Sequence, residues 1–116
     1  AQIGIFVFSP EGQVVRRFLG DDYTNIHDLE IRKEGDVEYL YGARNAAGEG
    51  IKIQAETGDV AMRLKYPEES ELKLTKFHPT AITVAPNGDI YLSDGYASNR
   101  IFKYDAAGKY VMHFGH

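Results

Sequence analysis

Three stretches of this 116-residue chain align without a gap around a glycine, and that repeat limits the folds open to it. They are residues 5–18 around Gly12, 51–64 around Gly58 and 101–114 around Gly108. In each, an apolar residue (Ile5, Ile51, Ile101) stands seven positions before the glycine and another (Phe18, Leu64, Phe114) six after it. The copies begin 46 and 50 residues apart. Short-stranded units repeating every ~40–50 residues cannot bury both faces alone, so neighbouring units must supply the missing core.

Each copy reads as a pair of antiparallel strands. Residues 3–8 alternate and are rich in strand formers, Ser9-Pro-Glu-Gly12 is a turn, and residues 14–18 return. The second unit is fuller, with strands expected at 29–32, 37–41, 51–54 and 60–65 and a loop at 42–50. The third repeats it, with strands at 81–85, 89–93, 100–104 and 109–114. Its Pro86-Asn-Gly88 turn contains the Asn-Gly pair favoured where both central residues take positive φ. Residues 67–76 could form one helical turn but read as a connection. Division at 1–20, 21–66 and 67–116 follows: outer strands of a first unit, then two complete ones. The fold class is all-β, a β-propeller segment of roughly two and a half four-stranded antiparallel blades, where closed rings usually have four to eight. A small self-sufficient β-sandwich is the alternative.

Composition narrows the function classes. Hydrophobic content of 43% and charged content of 26% suit a soluble globular chain. With a net charge of -4 and no run of more than two basic residues, a nucleic-acid partner is not expected. No apolar run approaches membrane-spanning length, so no membrane partner is expected either. The absence of cysteine removes disulfides and thiolate metal sites but leaves the compartment open. No Gly-x-Ser-x-Gly, HExxH, P-loop or EF-hand spacing is present.

Residues 77–109 contain Pro79-Thr-Ala-Ile-Thr-Val84, Gly88-Asp-Ile-Tyr-Leu-Ser-Asp94, Asn99-Arg-Ile101 and Asp105-Ala-Ala-Gly-Lys109. This resembles an NHL repeat densely over 77–115, more loosely over 27–66, and over 3–20 only in its closing half. Two motifs resemble one NHL branch, the peptidyl-α-hydroxyglycine α-amidating lyases. Asp94-Gly-Tyr-Ala-Ser-Asn-Arg100 is similar to that family's Asp-Gly-Tyr-Cys-Asn-Ser-Arg, and Ile26-His-Asp-Leu29 to its Pro-His-Gly-Leu and Pro-His-Asp-Ile. The resemblance implies a zinc held by three such histidines, a calcium held partly by backbone carbonyls, and the tyrosine as base. In this numbering the metal residues are His27, Asp28 and Leu29, and the base is Tyr96. It also favours a secreted or periplasmic location. Ala97 replaces the family's cysteine, Ser98 and Asn99 are exchanged, Ala81 stands where aspartate is expected, and at most one ligand histidine is present.

The residues themselves point to one rim of the ring. In an up-and-down blade the start of the first strand and the loop between the second and third lie on the same side. That places His27, Tyr96 and Arg44 together as a candidate anion or metal site. Arg44 enters as the cation needed to lower a phenol whose ordinary pKa is about 10. Asp28 could fix the second nitrogen of His27 or bind calcium. Plainer readings stand beside these: His27 as a strand-start hydrogen-bonder, Tyr96 as a packing residue, Asp94 as a turn residue. His78 reads as an exposed loop residue, and His113 and His116 as non-ligands. Two function classes follow: a lyase-like metal enzyme, inactive as an isolated chain, or a non-catalytic scaffold binding a protein, peptide or small molecule on its rim. Partners are the remaining blades or further copies of the chain.

Overall fold

The computed structural model describes residues 3–115 and is all-β, an arc of a β-propeller. Strands β1 (Gly4–Phe8) and β2 (Val14–Leu19) form a two-stranded sheet. A four-stranded sheet follows from β3 (Ile26–Glu34), β4 (Val37–Arg44), β5 (Glu49–Gln54) and β6 (Val60–Lys65), paired in that order. Another contains β7 (Ala81–Val84), β8 (Ile90–Asp94), β9 (Arg100–Tyr104) and β10 (Tyr110–Gly115). All pairings are antiparallel. Short 3-10 turns at Asp21–Tyr23 and Glu68–Ser70 link the sheets. Residue 116, and with it the expectation for His116, lies outside the described residues.

Two cores hold the arc together. Ile5 and Phe18 of the first sheet pack on Leu40, Ile51 and Ile53 of the second. On the other side of the second sheet, Tyr41, Ala43 and Leu64 meet Ile82, Leu92 and Phe102 of the third. Phe77, just before β7, stacks edge-on against Phe102 with centroids 5.3 Å apart.

The glycine turns explain the repeat and correct one part of it. At Ser9–Gly12, Ala85–Gly88 and Asp105–Gly108 the glycine N–H donates three residues back, at 2.9, 2.8 and 2.9 Å. Only the glycine takes positive φ there (88°, 95° and 87°), so these are type I turns closed by a left-handed glycine. Asn87 does not adopt the positive φ expected of it; its Oδ1 instead accepts the Asp89 N–H at 3.0 Å. At Gly58 the bond runs four residues back, to Gln54 at 2.8 Å, so this turn is one residue longer. Ile5 and Ile101 are therefore opposite Phe18 and Phe114, but Leu64 is opposite Gly50. Ile51, aligned with Ile5 and Ile101 by sequence, points to the other face of its sheet.

β3 is nine residues long where four were expected, because Asp28, Glu30 and Arg32 hide it from an apolar pattern. The expected loop at 42–50 shrinks to the four residues between β4 and β5.

Across the arc from the His27 end, Glu34 accepts hydrogen bonds from Tyr41 and from Lys52 Nζ at 2.8 Å. The ammonium also lies 4.2 Å from the centre of the Tyr39 ring. Burial pushes the Glu34 carboxyl up, but the Lys52 and Tyr41 hydrogen bonds together bring it below its ordinary value. A depressed carboxyl stabilises the fold above its unfolded pKa and loses that contribution on acidification. The urea midpoint is expected to fall below about pH 4.3, and Glu34→Gln to flatten that part of the profile. Leu92→Ala, in the core between the second and third sheets, should cost about 2–5 kcal/mol in urea unfolding. Ile31→Ala, at 64% exposure, should stay within about 0.5 kcal/mol.

Candidate functional site

His27 and Tyr96, 69 residues apart, meet where the second sheet adjoins the third. His27 Nε2 lies 3.2 Å from the Tyr96 hydroxyl, and the rings form an edge contact with centroids 5.5 Å apart at 85°. His27 Nδ1 lies 2.9 Å from the carbonyl oxygen of Thr80. A carbonyl can only accept, so Nδ1 carries the hydrogen and the neutral ring's lone pair sits on Nε2. The tyrosine O–H then donates to that lone pair. An imidazole so fixed has the form of a metal ligand or a proton acceptor, and Nε2 can serve one of these at a time.

Tyr96 is held in place by the backbone around it. Asp94, fully buried, accepts from the N–H of His78 at 2.8 Å, the N–H of Ser98 at 3.0 Å and the Ser98 hydroxyl at 2.8 Å. Those bonds shape the loop that presents Tyr96, as expected of a structural aspartate. Gly95 lies so close to β7 that an added Cβ would stand 2.6 Å from Thr80 Oγ1. The Asp-Gly-Tyr order thus has a local cause: an anchor, a residue with no side chain at the crossing, then the presented ring, which is 67% exposed.

The other expected site residues are elsewhere engaged. Arg44 ends β4 and is buried, paired with Glu49 at 3.1 Å and donating to the carbonyls of Thr24 at 3.2 Å and Asp21. Glu49 also takes Arg63 at 2.8 Å, which continues to Asp22 at 2.7 Å. Arg44 therefore does not join His27 and Tyr96; an internal carboxylate claims its charge. Asp28 does not support the His27 ring, whose second nitrogen is held by Thr80. Its Oδ1 accepts the Leu29 N–H and its Oδ2 the Ile82 N–H, both at 3.0 Å. The Leu29 side chain is exposed on the opposite face of the strand. His78 is half-buried, not exposed, because its Nδ1–H donates to the Asn45 carbonyl at 3.0 Å. His113 sits on Phe102 and accepts from Arg100 at 3.3 Å. Among the described residues no group of three or more His, Asp or Glu converges to hold a metal.

Sequence reasoning missed the Thr80 carbonyl, a backbone atom no motif displays. It also missed the joint role of Asp28, Glu30 and Arg32, whose signal was polar residues at alternate strand positions.

Over 108 residues the chain is 33% identical to a probable peptidyl-alpha-hydroxyglycine alpha-amidating lyase of Caenorhabditis elegans, which covers 90% of this chain. The chain spans only 29% of that relative's length. Shorter matches are to two Drosophila melanogaster peptidyl-alpha-hydroxyglycine alpha-amidating lyases, at 52% over 31 residues and 40% over 37. These cover 27% and 32% of this chain, and 8% and 7% of the relatives. No protein-family model matches. A crystal structure of a Bacteroides caccae protein of unknown function superimposes with TM-score 0.69 at 14% identity, over 100% of this chain and 43% of its own. That likeness is one of fold. Among the described residues no helix is long and apolar enough to cross a membrane.

Gly95→Ala is expected to push the loop off Thr80, destabilise by about 1–3 kcal/mol and abolish ring-to-ring nuclear Overhauser contacts between His27 and Tyr96. Adding Thr80→Ala, which removes the clashing atoms, should restore those contacts.

Proposed function

We propose that this chain is a segment of an NHL-type propeller with the chemistry of a peptidyl-α-hydroxyglycine amidating lyase. The observation that supports this best is the meeting of His27 from one blade with Tyr96 from the next. The substrate class comes from the similarity to the lyases. Tyr96 gives its own proton to His27 Nε2 and takes the proton of the substrate's α-hydroxyl. The carbon–oxygen bond becomes a carbonyl as the carbon–nitrogen bond breaks, leaving its electron pair on nitrogen. The nitrogen gains the proton held at tyrosine, giving a peptide amide and glyoxylate, and His27 Nε2 returns its proton to the Tyr96 oxygen. Atoms and charge balance without a co-reactant.

Zinc is the alternative use of His27: its Nδ1–H is tied to a carbonyl as ligating histidines require, and a metal bound at Nε2 would stand in place of the proton transfer from Tyr96 to that nitrogen. Among the described residues no group of three or more His, Asp or Glu forms, so further ligands would come from other blades. Zinc, when bound, polarises a hydroxyl or holds a carboxylate. Calcium at Asp28 and Leu29 fits less well, because both Asp28 oxygens already accept backbone N–H groups. The partners are the remaining blades or another copy of the chain, and the rim ligand is a peptide or small molecule.

Arg44 favours a second reading. Withdrawn into its ion pair, it leaves an open rim with one imidazole and one phenol, enough for a scaffold that binds without catalysis. The two readings part on glyoxylate release from an N-acyl-α-hydroxyglycine by an assembly completing the ring. Tyr96→Phe should lower that rate by about 10²-fold or more. His27→Ala should remove zinc by elemental analysis, while His78→Ala and His113→Ala keep it. Unchanged turnover in Tyr96→Phe removes the tyrosine from the chemistry. Absence of turnover with zinc supplied selects the scaffold.

A further inference from the structure

β7 is the edge strand of the third sheet: β8 covers one side, and among the described residues no strand pairs with the other. Its uncovered backbone groups are met by side chains from alternate positions of β3. Asp28 Oδ2 accepts the Ile82 N–H at 3.0 Å, and Glu30 Oε2 accepts the Val84 N–H at 2.9 Å. Glu30 Oε1 also lies 3.4 Å from the Thr83 hydroxyl, which donates to it. Arg32 then donates to the carbonyls of Ala85 at 2.7 Å and Pro86 at 3.1 Å. Acceptors meet donors and the donor meets acceptors, so the order Asp-x-Glu-x-Arg matches the backbone it lies against.

Blade geometry alone does not produce this ladder. Asp28 is opposite Ala43 and Ala81 is opposite Ser93, each one residue from the end of its partner strand. By that register the third sheet's counterparts of Asp28, Glu30 and Arg32 are Ala81, Thr83 and Ala85, which carry no charge. The ladder occurs at the junction that holds His27 and Tyr96. Ile82 is two residues from Thr80, whose carbonyl fixes the His27 ring, and Thr80 packs against Gly95 beside Tyr96.

We propose that Asp28 and Glu30 are positioning residues, which clamp the open edge of β7 so that the Thr80 carbonyl holds His27 in the tautomer that faces Tyr96. This rests on the reading of His27 and Tyr96 as the working pair. Asp28 therefore acts through the backbone of the next blade, not on a metal ion.

The test is made on the full chain and reads the tautomer, not turnover. At about pH 8 the ¹⁵N shifts of His27 in the unsubstituted chain should show a protonated Nδ1 and a bare Nε2. Asp28→Asn places an amide N–H₂ against one backbone N–H. The two ring shifts should then move toward each other as both tautomers become populated. Hydrogen exchange at Ile82 should quicken by about tenfold. Glu30→Gln, farther from the histidine, should quicken exchange at Val84 with a smaller shift change, and serves if Asp28→Asn does not fold. Faster exchange with unmoved His27 shifts in the folded variant overturns the proposal, leaving the ladder a purely structural splice. A shifted tautomer beside undiminished glyoxylate release in Tyr96→Phe keeps the ladder's role and overturns the catalytic reading instead.

Discussion

Leu40, Ile51 and Ile53 point to one side of the β4–β5 pair, while Tyr41 and Ala43, with Leu64 of β6, point to the other. The β4–β5 pair is thus buried on both faces, and the positions of the neighbouring sheets follow from what those faces accept. Glycines let the layers come close. A Cβ at Gly50 would stand 3.2 Å from both Leu64 and Leu92, and one at Gly42 3.3 Å from Ile51. Burying one such aliphatic side chain stabilises by about 1.5–3 kcal/mol, so a few residues on each face exceed the cost of aligning two sheets. His27 and Tyr96 meet because this packing brings the start of β3 beside the loop after β8.

The polar groups refine what the apolar faces locate. Glu49 holds Arg44 and Arg63 at the end of β4 and β5. Asp94 occupies the corresponding end of the next sheet, but its oxygens accept the N–H and O–H of Ser98 in the loop that follows it and the N–H of His78 ahead of β7. One sheet thus uses an ion pair to close this end, and the other uses a carboxylate to shape a loop. That difference puts a presented tyrosine over the third sheet and leaves none over the second. The carboxylate of Glu34 performs a third task at the far end of β3, anchoring the ammonium of Lys52 beneath two tyrosine rings.

The sequence made some of this legible for definite reasons. Strand alternation and glycine turns disclosed the sheets, because both are local. His27 and Tyr96 were paired correctly because blade topology alone puts strand starts and second-to-third-strand loops on one rim. Arg44 failed the same reasoning, since whether a rim arginine faces the axis depends on a carboxylate five residues on that no repeat marks. Ile51 aligns with Ile5 and Ile101 in sequence but faces the other way, because the turn at Gly58 is one residue longer and shifts the pairing by one. Asp28 drew attention for its neighbour His27, but its partner is a backbone N–H 54 residues away.

The uncovered faces of the arc are built of the same kinds of residue as its packed junctions. By register Leu29 and Ile31 correspond to Ile82 and Val84; Ile82 is buried by the second sheet, while Leu29 and Ile31 stand exposed. At the opposite end Ile101 and Phe114, counterparts of the packed pair Ile5 and Phe18, line an apolar hollow of about 500 Å³ with Tyr91 and Ala81. Covering such surface recovers roughly 25 cal/mol per Å². The proposed covering by further blades or a second copy would therefore be favoured energetically as well as topologically. It bears on chemistry too, because one junction supplies one imidazole and one phenol. On the proposed reading, additional ligands or cations for this rim would come from another junction, and the competence of the site would then depend on what covers those faces.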